Sequence, residues 1–220
     1  MADMKIKLIY FDGRGRGEII RQILAFGGIA FEDIRIPMEE WDDYKSKTPW
    51  GQLPILEFEG VTIAQTMTIC RFVAKKAGLA GINALEQAQM DMVADKCNEY
   101  TTKLFDIHDL PTDELKAKAS KKMLDDYVPM FLKNLDSLLE KSSNKFIGGP
   151  VPGYADIILA ECINGLSDPK DPYIHSLMGD SRLKLVDKYP RIKDLTESVR
   201  SAPALKLYLD ARRDSEKEEF

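Results

Sequence analysis

Residues 10–24 read YFDGRGRGEIIRQIL, a tyrosine, three glycines and two arginines set immediately before an apolar helical run. A glycine-rich turn between a strand and a helix is a common anion seat, because unpartnered N–H groups and the positive end of the helix dipole face the ligand. The dinucleotide pattern G-x-G-x-x-G fails here, since Gly13 and Gly15 are followed by Glu18 where the third glycine is required. The phosphate-loop pattern fails too, for no Gly-Lys-Ser/Thr follows. What remains is Tyr10 at a strand end, a turn, Arg14 and Arg16, and a helix N-terminus suited to a small anion such as a carboxylate. A plain glycine-rich connection with solvated arginines is the other reading these residues allow.

Other chemistries find few residues to carry them. Cys70, Cys97 and Cys162 have neither C-x-x-C nor metal-ligand spacing, and the two histidines, His108 and His175, lie far apart. No metal site and no disulfide exchange are therefore expected. Thirty-one basic against 36 acidic residues give a net charge of −5, which leaves no broad basic face for nucleic acid or an anionic membrane. The first residues, MADMKIKL, lack the apolar core of a secretory signal, and no apolar run approaches the ~20 residues of a membrane span. A cytoplasmic protein is the expectation.

The elements that must position the turn follow from periodicity. KIKLIYF alternates around Ile6, Leu8 and Tyr10 as a strand, and Ile19, Ile20, Ile23, Leu24 and Phe26 form a helical stripe ended by Gly27 and Gly28. FEDIRI is a second strand, PMEEWDDYKSK a short polar helix, and GQLPILEFEGVTIAQT a loop and strand pair. TMTICRFVAKKAG is a helix closed by Gly78. Pro54 opens a strand, where proline is tolerated, and Leu53–Pro54 on its own reads as trans, the commoner state. This βαβαββα order fills residues 1–80. From residue 85 to 212 strand signals vanish and amphipathic helices take over. Among them TDELKAKASKKMLDDYVPMFLKNLDSLLEK is a long helix, bent at Pro129 if anywhere. Residues 213–220 form a charged tail, and no internal repeat is present.

In order and spacing, YFDGRGRGEIIRQIL, EEWDDYK, GQLPIL and AQTMTICRFVAKKAGLAG are similar to the motifs of cytosolic glutathione transferases. The whole chain resembles that family, most closely its sigma class. The resemblance implies a thioredoxin-like α/β domain followed by an all-α domain, with glutathione as co-substrate and small hydrophobic electrophiles as its partners in reaction. It also implies a homodimer. Tyr10 matches the catalytic tyrosine and Arg16 a nearby arginine, while Arg14 has no counterpart and reads as solvated. Pro54 matches a cis proline that turns the N–H and C=O of Leu53 toward the peptide, as an added strand would require. Gln65 and Thr66 match a Gln-Ser pair that holds the γ-glutamyl carboxylate. Trp41 and Lys45 match contacts to the glycyl end, and Gln52 flanks the cysteinyl site.

Several positions depart from the family pattern. Asn98 stands where sigma-type proteins often carry an acid reaching across the dimer, and Asp95 or Glu99 could supply the missing charge. Gly153 replaces the usual Ser/Thr helix cap, with Asp156 three residues on still able to reach back. Phe11, Thr101, Phe105 and Ile158 are candidates for the electrophile pocket, each also plausible as core. Trp50, in TPWGQLP, either resembles the key that some pi-type glutathione transferases insert into a partner subunit or packs on its own domain. The function expected is conjugation of the glutathione thiolate to hydrophobic electrophiles. A prostaglandin D-type isomerase is the nearest rival, and a non-catalytic carrier or crystallin-like protein the more distant one.

Overall fold

A computed structural model describes residues 6–212, and the charged tail lies outside the described residues. The chain forms two compact units, one of residues 6–80 joined by 202–212, the other of residues 81–201.

The first unit is built on β1 (Ile6–Phe11), β2 (Phe31–Ile36), β3 (Ile55–Phe58) and β4 (Val61–Ala64), in the order β2-β1-β3-β4. The β1–β2 pair is parallel and the other two pairs are antiparallel. Alternation along β1 divides the residues between two faces. Ile9 joins Ile36 and Ile55 in a cluster covered by Tyr44 and Leu53. Tyr10, on the opposite face, meets the start of α1 (Gly15–Phe26). Ile20, Ile23 and Leu24 of that helix are fully buried, as their spacing predicts. So are Glu18, Arg21 and Gln22, which no apolar pattern marks. A 3₁₀ turn (Met38–Glu40) leads into the short α2 (Trp41–Lys45), and α3 (Thr66–Ala77) packs against α1.

The second unit is all helix: α4 (Ala84–His108), α5 (Asp113–Lys122), α6 (Val128–Lys141), α7 (Tyr154–Ser167), α8 (Pro172–Met178) and α9 (Pro190–Arg200). Asn83 caps α4 and Thr112 caps α5, each side-chain oxygen accepting from backbone N–H groups of the first turn. The apolar α7 is the core of this unit, packed on α4 and α9. The expected long helix breaks earlier than Pro129, at a wide π turn over Met123–Tyr127. Proline lacks an N–H and its ring crowds the carbonyl four residues back, and the wider turn relieves that conflict before Pro129 enters α6. At the start of α7, Gly153 has no side chain to offer, so only the return half of the cap exists: Asp156 accepts from the Gly153 N–H at 2.8 Å and the Ile147 N–H at 2.9 Å.

The last helix, α10 (Pro203–Ala211), belongs by periodicity to the helical half, yet it packs on α1 and groups with the first unit. Leu205 is its buried anchor.

Candidate active site

Strand register brings the key positions of the first unit to one end of the sheet. Ile9 of β1 faces Ile55 of β3, and Ile55 faces Ala64 of β4. One residue further along each antiparallel neighbour are Tyr10, Pro54 and Gln65, which therefore stand side by side on strands spaced ~4.8 Å apart. On the other flank Phe11 pairs with Ile36, from which the chain runs into α2.

Tyr10 is nine-tenths buried, and its phenolic oxygen accepts a hydrogen bond from the Arg16 N–H at 3.0 Å. Burial pushes the phenol's pKa up, against the opposing pull of that N–H and of the Arg16 and Arg21 charges, so Tyr10 keeps its proton at neutral pH. The glycines explain themselves here. A Cβ on Gly15 would lie 2.5 Å from the Tyr10 Oη, and one on Gly17 would lie 2.6 Å from the ring's Cδ1. The glycine-rich turn thus seats a tyrosine ring rather than a phosphate. Arg21 completes the seat: its Nη1 donates to the Gly13 carbonyl at 2.8 Å, its Nε to Asp33 at 3.1 Å, and its guanidinium lies 5.9 Å from the Tyr10 ring centre. Arg14 departs from the solvated reading. It is only 6% exposed, at the N-cap of α1.

The Leu53–Pro54 bond is cis, as the resemblance implies and the sequence alone does not. Leu53 packs on the Ile9 cluster. Gln65 is exposed, adopts φ 74°, and its carbonyl accepts the first helical bond from Ile69. That backbone sets the buried Thr66 at the first turn of α3, where unpartnered N–H groups and the helix dipole favour a carboxylate. Trp41 lies edge-on to Phe11, ring centres 5.2 Å apart, and Lys45 and Gln52 are exposed. The buried Thr48 joins these last two. Its hydroxyl donates to the Lys45 carbonyl at 2.8 Å and accepts from the Gln52 N–H at 3.1 Å. No motif signalled Thr48, whereas the i, i+2 spacing of Gly15 and Gly17 was a readable sign of close approach.

In the helical unit Asn98, Thr101 and Phe105 share one face of α4 by their spacing of three and four. Thr101 is turned back on its own helix, donating to the Cys97 carbonyl at 3.1 Å, and the Phe105 ring sits 5.8 Å from that of Tyr173. Ile158 is buried in α7. Glu99 is engaged by Lys96 at 2.8 Å and Lys103 at 3.6 Å, and the Lys96 hydrogen bond leads the effects that hold its carboxyl below the usual range. Its charge is thus already spoken for by two lysines of its own helix. The three cysteines are buried thiols without disulfides. Burial pushes Cys70 up, and a hydrogen bond with Cys162 does the same for Cys97, so neither is an activated nucleophile. Among the described residues no helix is long and apolar enough to cross a membrane.

A four-stranded mixed sheet with a cis proline beside a buried tyrosine, followed by a helical unit, defines the class: a thioredoxin-like domain joined to an all-helical one. The particular family follows from comparison with known proteins. Residues 6–75 match the family described as Glutathione S-transferase, N-terminal domain, and residues 98–212 match Glutathione S-transferase, C-terminal domain. Over 203 residues the chain is 36% identical to hematopoietic prostaglandin D synthase of Mus musculus, spanning 92% of this chain and 94% of that one. Over 209 residues it is 32% identical to probable glutathione S-transferase 9 of Caenorhabditis elegans, spanning 94% and 96%. Among solved structures, monomeric Na-GST-3 of the hookworm Necator americanus superposes with a TM-score of 0.80 at 33% identity, over 96% of this chain and 98% of that one. The chain belongs to the glutathione S-transferase family.

Proposed function

We propose that this glutathione transferase activates its thiol substrate at Tyr10 and delivers the thiolate to small hydrophobic electrophiles as a cytosolic, sigma-class detoxification enzyme. The observation that carries the reading is the bond from the Arg16 N–H to the Tyr10 oxygen. That bond occupies an acceptor lone pair and leaves the phenolic proton to be donated, polarised further by the N–H behind it. A thiol of pKa ~8.5 is only a few per cent ionised at pH 7. A hydrogen bond to the charged sulfur contributes ~1.5–3 kcal/mol, enough to lower that pKa by about one to two units.

The rest of glutathione has a place for each of its parts. The cysteinyl backbone pairs with Leu53 beside Pro54, the γ-glutamyl carboxylate meets Gln65 and Thr66 at the α3 N-terminus, and Lys45 with Trp41 takes the glycyl carboxylate near Gln52. Asn98 is assigned to the glutathione amine of a second copy, in a homodimer. Phe11, Thr101, Phe105 and Ile158 are the assignments for the electrophile. The likeness to a prostaglandin D synthase supports an isomerase as the second reading. Thr101 and the exposed Asp106 weigh against it, being small or polar where that enzyme would present larger apolar groups.

Retention on immobilised glutathione followed by a chlorodinitrobenzene conjugation assay tests the proposal. Retention with turnover is expected. Retention without turnover would favour a carrier, and prostaglandin isomerisation far faster than conjugation would favour the second reading.

A further inference from the structure

Glu18, which breaks the dinucleotide pattern, is 1% exposed, a costly place for a carboxylate unless its oxygens are fully partnered. They are. Oε1 accepts from Gln22 Nε2 at 2.9 Å and from Arg212 Nη1 at 3.0 Å, and Oε2 accepts from the Tyr208 hydroxyl at 2.9 Å. Two of those three donors come from the far end of the chain, 190 and 194 residues away. Arg21 Nη1 stands further off, at 3.8 Å from Oε2.

We infer that Glu18, held by Tyr208 of α10 and by Arg212 just past that helix's end, is a positioning residue for the Tyr10 site, so that the C-terminal helix tunes the acidity of the bound thiol. The inference rests on the reading of Tyr10 given above. The Glu18 N–H closes the first turn of α1 on the Arg14 carbonyl at 2.8 Å, and the Arg16 N–H that meets Tyr10 lies within that turn. The carboxylate also sits between two arginines with different tasks. Arg212 takes up its charge from the end of α10, which leaves Arg21 to hold the Gly13 carbonyl and Asp33. Without the α10 donors, Glu18 would draw Arg21 across the 3.8 Å gap and off Gly13, and the turn that seats the Tyr10 ring would lose its brace. Gln22 cannot replace them, since its amide bonds Oε1, not the Oε2 that Tyr208 holds, and carries no charge.

The test uses the full chain and reads the pKa of glutathione's thiol in the binary complex from its ultraviolet absorbance, with kcat and KM measured across pH. Tyr208→Phe removes one oxygen and Arg212→Gln removes the charge, and circular dichroism checks that each variant is folded. If Arg212→Gln folds poorly, Tyr208→Phe carries the test. The thiol pKa is expected to rise by about half a unit or more in each, with kcat at pH 6.5 falling about three- to tenfold and KM for glutathione within about twofold. Arg212→Lys should restore most of the loss. Tyr10→Phe is measured alongside, alone and combined with Tyr208→Phe. If the effect travels through Tyr10, Tyr208→Phe adds nothing in the Tyr10→Phe background. A thiol pKa that moves with Tyr10→Phe but not with Tyr208→Phe would overturn the positioning role alone. One that moves with neither would overturn the reading of Tyr10 itself, and an additive double variant would show that α10 acts on glutathione by another route.

Discussion

The Arg16 N–H and the Tyr10 phenolic oxygen, six residues apart in the chain, face each other across 3.0 Å at the mouth of a turn too narrow for a Cβ at Gly15 or Gly17. Strand end, turn and helix start are therefore one device. β1 delivers the ring, the glycines let α1 close on it, and the first helical turn aims a backbone donor at its oxygen. Since that donor is fixed by the helix, no side-chain ordering is needed to hold it against the phenol.

Removing the phenol tests the device at its centre. Tyr10→Phe should leave the fold and glutathione binding nearly intact while the bound thiol's pKa rises by about one to two units. Turnover at neutral pH should fall roughly ten- to a hundredfold. Titration of the thiolate absorbance in the binary complex measures this, and an unchanged pKa would shift the role to Arg16.

Gly17→Ala probes the seat instead of the ring. The new methyl would meet Tyr10 Cδ1 at 2.6 Å and Cγ at 2.7 Å, atoms near the fixed root of the side chain, so the ring or the helix must shift. Alanine's helix preference is worth ~1 kcal/mol, against ~1–3 kcal/mol for overpacking. Melting temperature should thus change modestly while kcat falls more than tenfold. Gly13→Ala is the control, since nothing lies within 4 Å of its Cβ position. Equal kcat losses in the two variants would mean that backbone freedom, rather than the ring's seat, is what the glycines supply.

The chain showed its elements more openly than its contacts. Period-two alternation marked Ile6, Leu8 and Tyr10, and the helical stripe marked Ile20, Ile23 and Leu24, because burial on one face repeats with the backbone's own geometry. The cis state of Leu53–Pro54 was reachable only through motif resemblance, since nothing local to those two residues selects it. Register, which sets Tyr10, Pro54 and Gln65 in a row, depends on pairings between distant segments. The same holds for Arg14, Glu18 and Arg21, polar residues buried by partners that no periodicity predicts. The π turn before Pro129 is no more legible, for proline announces a disturbance without saying on which side it is absorbed.

Asp156 gives the fold a pH signature. Burial raises its carboxyl from the usual 3.8 to about 6, against the N–H bonds of Ile147 and Gly153, which favour the anion. A carboxyl whose folded pKa is raised contributes stability that is complete below pH 3.8 and lost as pH climbs through about 6. A rise of that size corresponds to on the order of 3 kcal/mol. Asparagine does not titrate, so Asp156→Asn should be more destabilising at pH 4 than at pH 7. Urea unfolding of both proteins at several pH values between those limits gives the difference directly. A cost that grows with pH would mean that capping by the anion outweighs its burial.

Trp50 carries the last prediction. It is 69% exposed, so the packing against its own domain that the sequence left open accounts for little of its surface. A large aromatic left in water next to the Leu53–Pro54 loop is the kind of anchor that fills a pocket on a partner, where truncation costs ≥ ~2 kcal/mol. If two copies of this chain associate through it, Trp50→Ala should raise the dimer dissociation constant roughly thirtyfold or more. Fluorescence separates the residue cleanly, because Trp41 is the only other tryptophan. In a Trp41→Phe background, Trp50 emission should shift to the blue as concentration rises through the dissociation constant. The hookworm neighbour described as monomeric makes the alternative concrete. Sedimentation at low micromolar concentration decides the matter: wild type running as a dimer and Trp50→Ala as a monomer is the expected result. A variant dimer as tight as wild type would remove Trp50 from the interface, and a wild-type monomer would remove the interface itself.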